Sequence, residues 1–175
     1  MTFTPLTTRA TGYKVTAPDW NALVDAINLL AEAPTARVTH GSAQSIANAT
    51  ESVIAFNTEV FDSHALHDTV TNNSRITIPS GEDGHYLIGA NLEWAGDVDG
   101  IRRIWIRKNG TDQLAEVVSP SNGATTVVRQ SVVTVAELAA GDYVEVAVTH
   151  NAGAGLNVNN TTGVSPVFWI VRVKV

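Results

Sequence analysis

The side chains that could do chemistry in this sequence are acidic and histidine residues in short polar stretches. Asp97 and Asp99, within Asp97-Val98-Asp99-Gly100, could supply two carboxylates to a calcium ion. Calcium takes roughly six to eight oxygen ligands, so two carboxylates are too few. An Asp-Gly pair is also ordinary chemistry for a tight turn between two strands. We therefore predict a turn here and no metal site.

A second acidic and histidine cluster surrounds His64 and His67, which lie three residues apart with Asp62 and Asp68 nearby. Histidines placed in this way on a threefold axis could bind a transition metal. We expect a solvated loop at this point, and we predict neither a metal nor a cofactor for the chain.

Catalytic patterns are weak throughout the chain. It has no cysteine, and neither a Gly-x-Ser-x-Gly turn nor a paired-histidine helix occurs. Glycoside hydrolysis needs two carboxylates about 5 to 9.5 Å apart. The sequence supports no such pairing among the candidates Glu93, Glu116, Glu137 and Glu145. We predict no catalytic residues, and a carbohydrate-active enzyme is kept only as a remote alternative.

Most positive charges are scattered, but one segment carries a cluster of four, Arg102, Arg103, Arg107 and Lys108. These side chains could meet an acidic glycan or a neighbouring subunit, or they could simply keep an exposed strand soluble. The net charge of −6 argues against duplex nucleic acid as a partner. No run approaches the roughly 18 apolar residues that a membrane span needs, so we expect no membrane insertion.

The elements that must position these side chains are short alternating runs separated by turn signals, a pattern typical of an all-β sandwich or barrel. In the longest run, Tyr86, Ile88 and Trp94 share one face, which we expect to line the core. Further inward rows are predicted at Ile104 and Ile106 and along Val144, Val146 and Val148. The predicted strands are 52–56, 58–61, 74–78, 84–94, 101–108, 127–137, 143–150 and 167–175.

Aromatic and branched side chains outside the inward rows indicate a subunit interface. Trp105 lies on the face of its strand opposite to that of Ile104 and Ile106. Trp169 shares a face with Val171 and Val173. Both faces of the last strand are therefore apolar near its start. Because exposed apolar patches beyond a few hundred Å² are unusual on monomers, one face is expected to meet another chain. The alternative is a last strand that is central in a two-layer core.

The amino-terminal segment predicts one amphipathic helix. Thr16 and Asp19 fit a capping arrangement, and Pro18 suits a first helical turn. An apolar stripe follows at helical spacing, made of Trp20, Leu23, Val24, Ile27 and Leu30. A helix of about three turns is marginal alone in water, so its stripe needs a partner surface. We predict a helical anchor over 1–35, a linker over 36–50 and a head domain over 51–175.

Four segments of the head together resemble the globular head of complement's first component and its tumour-necrosis-factor-like relatives. They are "SRITIPSGEDGHYLIGA" (74–90), "RRIWIRKNGT" (102–111), "VVTVAELAAGDYVEVAV" (132–148) and "FWIVRVKV" (168–175). The Phe-Ser-Gly-Phe type closing pattern of that family is absent. The resemblance implies an all-β jelly-roll β-sandwich, here with a short amino-terminal α-helix. It also implies a homotrimer that serves as a binding head.

Residues 11–34 are similar to the openings of structural proteins of tailed bacteriophages. This resemblance implies a virion protein that meets other virion proteins through residues 1–35. The expected role is a tail-associated fibre, a minor tail protein that attaches to the host, and the alternative is a capsid decoration or head-fibre protein. Host contact, with a surface glycan as one candidate, would use distal loops at 95–100, 119–125 and 151–163. The third of these is rich in asparagine, with Asn157, Asn159 and Asn160.

Overall fold

The structure, a computed structural model, describes residues 11–12 and 14–174. Its helix, α1, spans Ala17–Ala31. The capping prediction is confirmed, because the Asp19 carboxylate accepts from the Thr16 backbone N–H at 3.0 Å and from the Thr16 hydroxyl at 2.5 Å. Pro18 lies in the first turn, where a missing N–H costs no hydrogen bond. No helix among the described residues is long and apolar enough to cross a membrane.

The rest of the described chain is built from short β-strands, as the alternating pattern predicts. They are β1 Thr35–Thr39, β2 Gln44–Ile46, β3 Ser52–Val53, β4 Thr58–Asp62, β5 Arg75–Thr77, β6 Gly84–Trp94, β7 Ile101–Lys108, β8 Asp112–Pro120, β9 Val128–Leu138, β10 Tyr143–His150, β11 Leu156–Val158 and β12 Val167–Lys174. The predicted all-β chain with one short helix is thus confirmed.

Two antiparallel sheets form the sandwich. In sheet A, β6 lies between β9 on one side and β12 on the other, and β12 continues through β1 to β4. Strands β11 and β2 extend this sheet beyond the end of β6. In sheet B the order is β3, β10, β7, β8, and β5 also pairs with β10.

The core lies between the two sheets and contains the predicted inward rows. The side chains of Tyr86, Ile88, Trp94, Ile104 and Ile106 are fully buried. The Val144, Val146 and Val148 row of β10 is buried as well. Strand alternation therefore places one face of each sheet in the core and leaves the other face to solvent or to a partner.

The predicted linker at 36–50 is wrong, because these residues contribute two strands. Strand β1 lies between β12 and β4, and Ala36 and Val38 are fully buried. Strand β2 pairs with β11. Strands β8 and β11 also form where no strand is predicted, the second of them inside the predicted 151–163 loop.

The helix and the predicted distal loops lie at opposite ends of the sandwich. Thr35, three residues after the Glu32 C-cap of α1, pairs with Val171, and β6 starts at this end. At the opposite end β6 finishes at Trp94, β7 starts at Ile101 and β10 finishes at His150. The helix therefore leaves one end of the sandwich, and the predicted distal loops lie at the other.

Candidate functional site

Three loops meet at the end of the sandwich opposite the helix, and we call residues 95–100, 121–127 and 151–166 the distal loop cluster. A backbone hydrogen bond links the first two loops, since the Ser121 N–H donates to the Gly100 carbonyl at 2.9 Å. The Asn151 side-chain oxygen accepts from the Ile101 N–H at 2.7 Å, which joins the third loop to the same point. The structure thus brings the three sequence-predicted loops into one surface.

The three asparagines of the third loop have different environments. Asn157 is exposed on β11, where it pairs with Ser45 of the short strand β2. Asn160 is exposed in the loop that follows β11. Asn159 is half-buried, and its side-chain amide donates to the Glu93 carboxylate at 3.1 Å. Asn157 and Asn160 are therefore available to a ligand, whereas Asn159 supports the loop.

Glu93 is a buried carboxylate that ties the third loop to sheet A. One carboxylate oxygen accepts from Thr161 Oγ1 at 2.8 Å and from Asn159, and the other accepts from Arg129 Nε at 2.8 Å. Burial raises the pKa of Glu93, but the hydrogen bonds from Thr161, Asn159 and Arg129 outweigh it and hold the pKa below its ordinary value. The ionised carboxylate is therefore a structural support for the loop, which sequence alone did not indicate.

Replacing Glu93 with Gln is expected to destabilise the fold by about 2 kcal/mol at neutral pH, because a charged acceptor of three hydrogen bonds is lost. The pKa of Glu93 is lower in the folded chain than in the unfolded chain, so this stabilisation is present above the ordinary glutamate pKa of about 4.3. It is lost as the pH falls through the folded pKa. The difference in melting temperature between wild type and variant should therefore be large at pH 7 and should shrink on acidification.

Glu137→Gln is the matched control, since this glutamate is exposed on β9 of the same sheet. Its melting temperature should equal that of the wild type at pH 7 and after acidification. Equal melting of Glu93→Gln and Glu137→Gln at pH 7 would contradict the supporting role of Glu93.

Asp97 and Asp99 occupy the predicted turn, and their surroundings suit an ion pair within the chain. Asp97 Oδ1 accepts from the Asp99 N–H at 2.8 Å and lies 4.0 Å from Nη2 of Arg102. The Arg102 side chain is fully buried and donates to the Asp99 carbonyl. A guanidinium this close already supplies the positive charge that a calcium ion would bring.

An open groove of about 270 Å³ lies beside the distal loop cluster, between the end of β8 and the start of β9. Its lining includes Ser119, Ser121, Asn122, Val128 and Arg129. The Arg129 side chain is 63% exposed even though it pairs with Glu93. Hydroxyl, amide and guanidinium groups around an open groove offer donors and acceptors that match the hydroxyl-rich surface of a sugar.

The predicted solvated histidine loop is only partly correct. His64 is half-exposed, and its Nδ1 lies 2.7 Å from Ser63 Oγ. His67 is buried, with Nδ1 3.3 Å from a Glu59 carboxylate oxygen and Nε2 3.4 Å from the Asn73 carbonyl. Within the described residues, no three acidic or histidine side chains are grouped to hold a metal ion.

The positive segment on β7 is neutralised by carboxylates of the same chain. Arg103 forms a bidentate ion pair with Glu116 at 2.7 and 2.9 Å. Arg107 pairs with Glu145 at 3.0 Å and also with Glu51, and Lys108 pairs with Asp142 at 2.6 Å. These contacts favour the solubility reading of the segment over a site for an acidic glycan.

Trp105 is a poor candidate for a subunit interface, because it is only 4% exposed in the single chain. Its indole lies on the outer face of sheet B beneath the Arg103 guanidinium, 4.3 Å from the ring centre. Cation–π stacking of this kind covers an aromatic ring within its own chain. Alternation places Trp105 outside the core but cannot show that a neighbouring arginine covers it.

The other interface candidates belong to a continuous apolar surface on sheet A. Trp169 and Val171 are half-buried, and Val173 is 56% exposed. Across β6, the register sets Gly89 opposite Val133 and Leu87 opposite Val135, and these two valines are 53% and 57% exposed. We call this surface the apolar outer face, and it comprises Leu87, Val133, Val135, Trp169, Val171 and Val173.

Gly89 is the residue that lets Trp169 lie flat on this face. A Cβ atom built at Gly89 would lie 2.2 Å from Cζ2 and 2.5 Å from Cε2 of the Trp169 indole. The absence of a side chain on β6 at this point therefore makes room for the ring of the neighbouring strand. The sequence signal was the glycine in the middle of a long strand, whose purpose only the strand register reveals.

The amino-terminal stripe is also unburied in the single chain. Trp20 is 60% exposed and Ile27 is 53% exposed, while Val24 is exposed and Leu23 is half-buried. The Leu30 side chain and residues 1–10 lie outside the described part of the chain. The helix of the predicted anchor thus presents apolar side chains that its own head does not cover.

Comparison with known proteins identifies the fold. No family model and no curated protein sequence matches the chain. Among solved structures, murine APRIL at pH 5.0 aligns with a TM-score of 0.61 at 12% identity, covering 81% of this chain and 99% of that one. The globular domain of zebrafish complement 1qA protein aligns with a TM-score of 0.53 at 14% identity, covering 80% and 97%. At these identities the likeness concerns architecture: the chain has the jelly-roll fold of these two structures.

Proposed function

We propose that this chain is a homotrimeric binding head of a tailed-bacteriophage virion, a tail-associated fibre component that attaches to the host surface. The observation that carries the proposal is that the two ends and one side of the molecule carry different kinds of surface. A helix with an exposed apolar stripe leaves one end, a polar loop cluster occupies the other, and an apolar sheet face runs along the side.

The apolar outer face supports the trimer. Its six side chains are adjacent across β9, β6 and β12, and three of them are more than half exposed. A contiguous apolar sheet face of this kind is unusual on a monomer and resembles a core cut in half. The resemblance to the complement and tumour-necrosis-factor-like heads implies the same assembly.

The amino-terminal segment supports attachment to a larger particle. Residues 11–34 resemble the openings of phage structural proteins. The helix and the distal loop cluster lie at opposite ends of the sandwich. A particle held by residues 1–35 would therefore present the loops outward.

The chemistry of the distal end supports binding and gives no support to catalysis. Glu93 and Glu137 belong to sheet A, whereas Glu116 and Glu145 belong to sheet B. Glu93, Glu116 and Glu145 are each engaged by an arginine. The exposed loops and the open groove carry hydroxyl and amide groups, so we propose a host surface glycan as the ligand class.

The test is decoration of susceptible host cells by the fluorescently labelled protein. We expect the wild type to bind and the double variant Asn157→Ala, Asn160→Ala to bind about tenfold more weakly, since three copies lose contacts together. Asn159 is left intact because it holds Glu93. Thr111→Ala, an exposed change in the turn between β7 and β8 at the opposite end, should bind as the wild type does.

Absence of cell binding by the wild-type trimer would contradict host attachment. If particles without the protein also lost thermal or osmotic resilience, the role would be that of the alternative, a capsid decoration or head-fibre protein. Equal weakening by the Thr111→Ala control would show that the distal loop cluster is not the contact surface.

A further inference from the structure

The apolar face of α1 has the spacing of a short coiled coil. Trp20, Leu23, Ile27 and Leu30 follow one another at intervals of three, four and three residues, which is the alternation of a and d positions in a heptad. Within the described part of this face, Trp20 and Ile27 are more than half exposed. The spacing therefore suits another helix as the partner surface.

The flanking positions of the heptad favour more than one partner helix. With Trp20 at position a, Val24 falls at e and Ala26 at g, so the apolar face extends beyond the a and d seam. In a two-stranded coil the e and g positions usually carry charges. A wider apolar face lets each helix contact two neighbours at once, as it must in a bundle of three.

The charges of α1 permit packing against copies of itself. The helix carries Asp19 and Asp25 and no basic residue. Asp25 falls at position f, which faces away from the seam. Asp19 falls at position g, where it faces the neighbour's position e, Val24, and it also caps the helix by accepting from Thr16. Identical helices can thus approach along this face without juxtaposing like charges.

The helix is joined closely to the strand beside the apolar outer face. Glu32, Ala33 and Pro34 connect α1 to β1, and the Pro34 carbonyl accepts from the Arg172 N–H at 3.0 Å. Thr35 then pairs with Val171, a member of the apolar outer face. Trimerisation through that face would therefore bring the three helix ends near one another.

We propose that the occupants of this helix face are the α1 helices of the two other chains, so that the trimer has a parallel three-helix stem. This inference rests on the proposed trimer and names the partner of its amino-terminal stripe. The residues before Thr16 and the outer side of the stem then remain for contact with the particle. Packing in the stem also explains how a helix of 15 residues, marginal alone in water, is maintained.

Disulfide trapping in the full-length chain tests the stem, because the natural sequence has no cysteine. Ile27→Cys places a thiol at position a, and Asp25→Cys places one at position f of the same helix. A disulfide needs Cα atoms roughly 4.4–6.8 Å apart, so oxidation should cross-link Ile27→Cys about tenfold or more faster than Asp25→Cys. The linked product should be a covalent dimer, since three thiols on one axis leave one unpaired.

Light scattering on both cysteine variants before oxidation separates the stem from the trimer. A trimeric mass, together with rapid cross-linking at position 27 whose rate does not change on dilution, supports the stem. A trimeric mass with equal or slower cross-linking at position 27 than at position 25 overturns the stem and leaves the trimer intact. A monomeric mass for the wild type and both variants overturns the trimer and the stem together.

Discussion

Replacing Val135 with Glu is expected to convert the proposed trimer to monomers while the sandwich stays folded. The Val135 side chain is 57% exposed in the single chain and belongs to the apolar outer face. In the proposed interface it would be buried, and burying an unpaired carboxylate costs about 3 kcal/mol or more for each chain. Sedimentation at micromolar concentration should show the loss of trimer, and circular dichroism should show the retained β-structure.

Val118→Glu is the matched control for this change. Val118 is 49% exposed on β8, on the outer face of sheet B, and so differs from Val135 chiefly in the sheet to which it belongs. It should remain trimeric. Dissociation by both variants, or by neither, would contradict an interface on the apolar outer face.

If the chain is the proposed virion trimer, deleting residues 1–31 is expected to abolish incorporation into particles and to leave a folded, trimeric head. The cut must fall before Pro34, because its carbonyl accepts from the Arg172 N–H and β1 begins at the next residue. The core cluster lies between the two sheets, and no described side chain of α1 belongs to it. A domain with its own core folds without its appendage.

The measurement is the amount of protein in purified particles after expression of the deleted and the full-length chains. The isolated truncated head provides the control, since its mass and circular dichroism should match a trimeric β-sandwich. Incorporation at the full-length level would contradict attachment through residues 1–35. Loss of folding would instead show that the helix belongs to the head.

The long strands could be predicted from the sequence because apolar residues recur at every second position along one chain segment. In β6 the inward positions Tyr86, Ile88, Ala90, Leu92 and Trp94 are all apolar, so alternation alone identifies both the strand and its face. The same reasoning located β7, β9, β10 and β12. Their observed bounds agree with the predicted ones within a residue.

The missed strands are those whose pattern depends on a distant partner. Strand β1 has only two buried side chains, Ala36 and Val38, between threonines and an arginine, and it pairs with β12 at the far end of the sequence. Strand β8 has no fully buried position, since it lies at the edge of sheet B. Local composition in both cases resembles a linker, and only the tertiary pairing makes a strand.

The candidate site was predictable in outline and not in its contacts. Turn residues located the three loops, and the strand order then placed them at one end. That Asn159 holds Glu93, that Arg103 covers Trp105 and that Trp169 lies on Gly89 all depend on cross-strand register. A one-residue change of register would reverse these contacts, so a pattern along the chain cannot specify them.

The mass of the purified full-length protein in solution tests the central claim most directly. Multi-angle light scattering at micromolar concentration should give three times the chain mass of 18.6 kDa, and the mass should resist dilution. That result is expected because an obligate interface on the apolar outer face would bury above roughly 2,000 Å² in total. A monodisperse species at the mass of one chain would contradict the trimeric head.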